Sequence, residues 1–96
     1  YRSRRDYMYG RLRAMGLAVV EPMGAFYMFP SIEKYGLSSE EFCRRMIVEA
    51  KVAAVPGTCF GAEGFLRLSY CYSMEEIETG LDRMEAFLGK LEEKLS

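Results

Sequence analysis

Histidine is absent from the chain. That excludes Ser-His and Cys-His nucleophile pairs, and histidine-ligated zinc, from within it. Tryptophan is also missing, and the three cysteines, Cys43, Cys59 and Cys71, form no CxxC pair. Their odd number argues against a closed disulfide framework and for a reducing, cytoplasmic home. No apolar run approaches the ~20 residues that a membrane helix needs. Neither sign of charge prevails: 13 basic against 14 acidic residues leave a net charge of −1. No overall field therefore recruits nucleic acid or a membrane surface. There is no signal-like segment, no internal repeat and no low-complexity tract. The chain opens Tyr1-Arg2-Ser3, inside a helical pattern, as expected of a piece of a longer chain.

What is present is a chain of 96 residues, half apolar and just over a quarter charged. This fits one small domain with one modest core. The stretch Gly64-Phe65-Leu66-Arg67-Leu68-Ser69-Tyr70 alternates strictly and reads as a strand. Leu66, Leu68 and Tyr70 share one face, while Phe65, Arg67 and Ser69 share the other. If the first face carries the core, Arg67 projects from a rigid element toward the opposite side. A guanidinium so presented suits a planar anion, because its fork donates two parallel hydrogen bonds to a carboxylate. The plain alternative is a surface arginine on a half-exposed strand.

Tyr1 to Met15 reads as a helix whose apolar stripe is Tyr1, Met8, Leu12 and Met15. Gly16 fits the left-handed position after its end. Arg2, Arg4, Arg11 and Arg13 lie beside or opposite the stripe, and Arg5 runs its stem over apolar surface. These arginines lack interleaved aromatics and form a solvated helix face, not a nucleic-acid platform. Leu17 to Val20 and Ala25 to Phe29 are expected to pair as a hairpin around Glu21 to Gly24, the second strand ended by Pro30. Pro30 to Leu37 reads as a loop bent at Gly36. Ser38-Ser39-Glu40-Glu41 is a capping box, with Ser38 taking a backbone N–H and Glu41 reaching back. Phe42, Cys43, Met46, Ile47 and Ala50 follow as an apolar helical face.

Val52 to Val55 is expected to be a third strand, ended by Pro56-Gly57. The glycines of Pro56 to Gly61 lack the Lys-Ser/Thr ending of a P-loop. Ser73 to Glu76 repeats the capping pattern and starts the longest helix, to about Lys94. Ile77, Leu81, Met84, Leu88, Leu91 and Leu95 form its seam, stepping by fours and threes. The reading is an α+β fold in the order α-β-β-α-β-β-α. A small sheet of three or four strands, mostly antiparallel or mixed, has its helices on one face. Apolar groups on both faces of the sheet hint at a missing partner.

Three motifs, in this order and spacing, resemble the C-terminal small domain of fold-type I, pyridoxal-phosphate-dependent aminotransferases, class I/II, of the aspartate aminotransferase group. Pro22-Met23-Gly24-Ala25-Phe26-Tyr27-Met28-Phe29-Pro30 is similar to the family's P-x-G-A-F-Y-x-F-P stretch. Val52 to Gly57, with Phe60-Gly61, is similar to V-x-x-x-P-G-x-x-F-G. Phe65 to Tyr70 is similar to the x-x-R-L-S-Y/F strand. The resemblance covers nearly all of residues 1–96 and implies that they form one such domain. It also implies that Arg67 binds the substrate α-carboxylate, and that Gly24, Ala25 and Phe26 line the cleft entrance, with Phe26 or Tyr27 in reach of substrate.

The same resemblance implies a parent enzyme that moves an amino group from an amino acid to a 2-oxo acid. Aspartate would be its substrate, with alanine and aromatic amino acids close behind. The parent would be a homodimer whose small domain closes toward a large domain of the same chain. The cofactor lysine and the other cofactor-binding groups lie in that large domain, and Lys34, Lys51, Lys90 and Lys94 are poor candidates for the lysine. No catalytic, cofactor-binding or metal-ligating residue is therefore assigned here. This piece is expected to lack transamination activity and to hold no pyridoxal phosphate alone. Two alternatives stay open: a decarboxylase or lyase of the same fold, and a free-standing ligand-binding regulatory module.

Overall fold

Two serines set the starts of the second and third helices. The Ser38 hydroxyl accepts the Glu41 backbone N–H at 3.2 Å, satisfying one of the donors that a helix start leaves orphaned. Ser73 and Glu76 make the full reciprocal box: the Glu76 N–H donates to Ser73 Oγ at 3.1 Å, and the Ser73 N–H donates to Glu76 Oε1 at 3.2 Å. At the first site the reciprocal half is replaced, because the Glu41 carboxylate turns to Arg44, whose Nε donates to it at 2.8 Å.

The computed structural model describes residues 2–20 and 26–95. The elements are α1 (Arg2–Ala14), β1 (Val19–Val20), β2 (Tyr27–Pro30), α2 (Ser39–Ala50), β3 (Val55–Pro56), β4 (Leu66–Ser69) and α3 (Met74–Leu95), with short 3-10 turns at Glu33–Tyr35 and Gly57–Phe60. The expected α-β-β-α-β-β-α order holds. The sheet has four strands in the order β1-β2-β4-β3, and every pairing is antiparallel. β1 and β2 pair as the expected hairpin, and its turn, Glu21 to Gly24, lies outside the described residues.

All three helices bury their apolar stripes against one sheet face. Met8 and Leu12 of α1, Phe42 and Met46 of α2, and Ile77, Leu81 and Met84 of α3 form a single core with Met28, Leu66, Leu68 and Tyr70. Phe42 sits at its centre, with its ring 5.8 Å from Tyr35 and 5.5 Å from Phe87. Burying such a set at about 25 cal/mol per Å² of apolar surface is the main force holding the layers together.

Several expectations need correcting. Ile47 is not part of the buried face of α2: it is 48% exposed, and Val48 beside it 60%. The Arg5 side chain is exposed, and its guanidinium meets Asp6 at 3.5 Å. Phe87 joins the α3 seam, widening the stripe beyond a strict four-and-three step. The Pro30 to Leu37 loop holds a 3-10 turn closed by Gly36 at φ 72°. β2 begins at Tyr27, leaving Phe26 outside it, and Pro30 is its last residue, facing Val19 across the outer pair. The third strand is Val55–Pro56, not Val52 to Val55. β4 pairs with β3 only at Arg67 and Leu66; beyond Ser69 the Tyr70 N–H donates to the Phe26 carbonyl, which keeps that end of β4 on β2. Residues 52–54 are left without a ladder partner.

Candidate functional site

β4 is an inner strand, held by β2 on one side and by β3 on the other. The pairs Tyr27↔Ser69 and Met28↔Leu68 put Met28 and Leu68 on the helix-covered face, and both are buried. Alternation then sends Tyr27, Ser69 and Arg67 to the opposite face. Continuing the registers gives one row across that face: Val20, Phe29, Arg67 and Val55. The sequence expectation for Arg67 thus holds: it stands on the face away from the helices, on a backbone bonded from both sides.

The surroundings of the Arg67 guanidinium are aromatic. Its central carbon lies 4.5 Å from the Tyr27 ring centroid and 5.9 Å from that of Phe60. Both distances are within the range of a cation–π contact. Phe60 in turn meets Phe29 edge to face, with centroids 5.1 Å apart. Arg67 makes no hydrogen bond or ion pair with another described residue, and its Nε is shut off from solvent without a partner. Other arginines of the chain are handled differently. Arg11 is held by Asp82 at 2.9 Å and Glu85 at 3.5 Å, and Arg45 by Glu49 at 3.1 Å. A guanidinium left unpaired in a partly buried setting is costly unless an anion arrives to meet it.

The loop that carries Phe60 is fixed from below. At Gly57 an added Cβ would lie 1.8 Å from the Ala62 carbonyl oxygen, so only glycine fits. The Ala62 N–H donates to the Gly57 carbonyl at 2.8 Å, and Gly61 closes the turn at φ 74°. Ser39, at the head of α2, donates its N–H and hydroxyl to Glu63, and the Thr58 N–H donates to Ser39 Oγ at 3.4 Å. The Ser39 bonds, first from the backbone and then from the hydroxyl, hold the Glu63 carboxyl below its ordinary pKa. Helix α2 and the loop beside Arg67 are therefore tied at one point.

Arg67, Tyr27 and Ser69 also border a groove of about 940 Å³. Its other wall is made by residues 51–55 and the first turns of α3, with Glu75, Glu76 and Arg83 among its lining. Residues 52–54, which have no ladder partner, are part of its lining.

Of the remaining sequence-nominated residues, Gly24 and Ala25 lie outside the described residues. Phe26 leans on Tyr70, with ring centroids 6.1 Å apart, and is 46% exposed; the ring that meets Arg67 is Tyr27. Phe29, Val55 and Phe60 were not nominated. Alternation does put Phe29 on the face of Tyr27, but cross-strand register decides that this face meets Arg67.

Lys34 donates to the Gly16 carbonyl at 3.2 Å and lies over the Tyr35 ring. Lys51 is exposed at the left-handed C-cap of α2, with φ 60°, and Lys90 and Lys94 are exposed on α3. Lys51 also lines the groove that Arg67 borders, and Glu76 of the same groove accepts from the Ser73 hydroxyl at 2.9 Å. Among the described residues no group of three or more metal-ligating side chains gathers.

Residues 1–84 match the family model "Aminotransferase class I and II". The chain is 47% identical to a probable N-acetyl-LL-diaminopimelate aminotransferase of Bacillus subtilis, covering 99% of this chain and 25% of that protein. It is 50% identical to an aspartate aminotransferase of Pyrococcus abyssi, over 92% of this chain and 23% of the relative. The crystal structure of an aromatic aminotransferase from Pyrococcus horikoshii superposes with a TM-score of 0.90 at 46% identity, covering all of this chain and 26% of that one. The chain spans about a quarter of the length of the relatives it matches. Sequence, fold and the three motifs agree: this chain belongs to the class I and II aminotransferase family.

Proposed function

We propose that residues 1–96 are the small C-terminal domain of a pyridoxal-phosphate-dependent amino-acid aminotransferase, and that Arg67 takes the α-carboxylate of its substrates. The observation that carries this reading is the unpaired Arg67 guanidinium on an inner strand, among rings and without an acid from any described residue. A carboxylate arriving there meets a fork whose donors are already oriented. Fixing that end of an amino acid sets the position of its α-carbon relative to the rest of the active site. Pyridoxal phosphate, held by a large domain of the same polypeptide, supplies the electron sink for amino-group transfer. The residues described here serve binding and orientation. Closure of this domain on the large one brings Arg67 over the substrate and excludes water.

Relatives named for aspartate and for N-acetyl-LL-diaminopimelate resemble this chain at 50% and 47% identity. That near-equality supports assigning to this segment only what all amino acids share, the α-carboxylate, and assigning side-chain choice to the large domain and a second subunit of a homodimer. Aspartate stays our first substrate, in a cytoplasmic enzyme. Among the described residues no helix is long and apolar enough to cross a membrane.

The test is Arg67→Lys in the complete enzyme. Lysine keeps the charge but loses the two-pronged geometry. The KM for several amino acids is expected to rise about tenfold, the size of one lost charge-assisted bond, while the cofactor absorbance persists. An unchanged KM for all of them removes Arg67 from the role.

A further inference from the structure

We propose that Tyr27 is a positioning residue for Arg67: its ring face holds the guanidinium plane in the orientation that receives a carboxylate. This rests on the reading of Arg67 given above and deepens it. A long arginine side chain has several rotors, and leaving them free until substrate arrives costs affinity. An acidic neighbour is the usual means of holding one, as Asp82 and Glu85 hold Arg11. At a carboxylate site that solution defeats itself, because the resident acid competes for the same N–H donors. An aromatic face attracts the cation and offers no oxygen in exchange.

Tyr27 meets each requirement of that role. It is directly opposite Ser69 in the ladder, so its backbone is set by the strand that carries Arg67. Its ring centroid is 4.5 Å from the guanidinium carbon, closer than the 5.9 Å of Phe60. Its hydroxyl bonds to no described residue, so the ring face is the part in use. Tyr27 is 37% exposed, and the core does not depend on it. Phe60, braced edge-on by Phe29, supplies the second ring.

The experiment compares Tyr27→Leu, Tyr27→Phe and Arg67→Lys in the complete enzyme. The readout is the single-turnover half-reaction, followed by cofactor absorbance. Each variant is run with an amino acid and with the matching amine that lacks the carboxylate. Tyr27→Leu is expected to lower the amino-acid rate constant at subsaturating substrate about tenfold, as loss of a partly desolvated cation–π contact implies, and to leave the amine rate unchanged. Tyr27→Phe is expected to retain most of the wild-type preference for the carboxylated substrate. Tyr27→Ile, β-branched and suited to a strand, repeats the first test if the leucine variant folds poorly. Equal losses for amino acid and amine overturn the inference in favour of a merely structural role, and a phenylalanine variant as impaired as leucine overturns it in favour of the hydroxyl. If Tyr27→Leu is silent while Arg67→Lys is impaired, the inference fails and the assignment of Arg67 stands. If both are silent, the assignment of Arg67 fails as well.

Discussion

The Ser39 backbone N–H donates to Glu63 Oε1 at 2.7 Å, and the Ser39 hydroxyl donates to Oε2 of the same carboxylate at 2.8 Å. Ser39 is completely buried. One carboxylate thus satisfies two donors at the head of α2, and the same hydroxyl accepts from the Thr58 N–H. Ser39→Ala removes the hydroxyl from both bonds and is expected to cost about 1–3 kcal/mol, read as a lowered urea midpoint.

The same joint carries a pH dependence. Glu63 has a depressed folded-state pKa, so its contribution is present above the unfolded carboxylate pKa and lost as pH falls through the folded one. The stability difference between the native chain and Glu63→Gln is expected to be constant near neutrality and to vanish in acid. Urea unfolding at a series of pH values checks this. A difference that persists into strong acid refutes the ionised bond.

Gly57→Ala places a methyl group against backbone that is itself anchored, since the Ala62 carbonyl oxygen would lie at 1.8 Å. The expected loss is about 3 kcal/mol, the upper range of overpacking, with retained helical circular dichroism below a lowered melting temperature. Gly10, with open space around its Cβ position, serves as the contrast. In mid-α1, Gly10→Ala is expected to stabilise by about 0.5–1 kcal/mol.

The cysteines divide by location. Cys59 and Cys71 are exposed, whereas Cys43 is buried and its thiol is pushed up to about 11, chiefly by burial. Since the thiolate is the reacting form, a brief treatment with iodoacetamide is expected to label Cys59 and Cys71 in the native chain. Cys43 is expected to react only in denaturant. Intact mass and peptide mapping give the answer.

Tyr35 donates its hydroxyl to Glu92 Oε1 at 3.2 Å, and burial with that carboxylate pushes its pKa up to about 12. A raised folded-state pKa contributes stability below the unfolded value, near 10, that disappears as pH rises toward 12. Ultraviolet titration of tyrosinate is expected to lose its most alkaline step in Tyr35→Phe.

Much of this was legible in the chain itself, and for local reasons. Leu66, Arg67 and Leu68 alternate on one strand, so the face of Arg67 followed from the pleat alone. Ser73 and Glu76 sit three apart, so the start of α3 was readable. The failures were of another kind. Ile47 lies on the apolar side of α2 by spacing, yet it is about half exposed, and spacing does not report how far the covering elements extend. β3 pairs with β4 only at Val55 and Pro56, and which residues of a run join a ladder is decided between strands. The Tyr27 ring reaches Arg67 only through a register pairing positions 27 and 69, forty-two residues apart. Nothing local records such a distance.

The charge at the centre of the open sheet also governs what that sheet refuses. Two copies stacked through Val20, Phe29 and Val55 would trap a pair of guanidinium groups between rings, with no acid from the described residues to neutralise either. Dehydrating cations under those terms costs several kcal/mol apiece. A cover that brings its own anion to Arg67 avoids that cost.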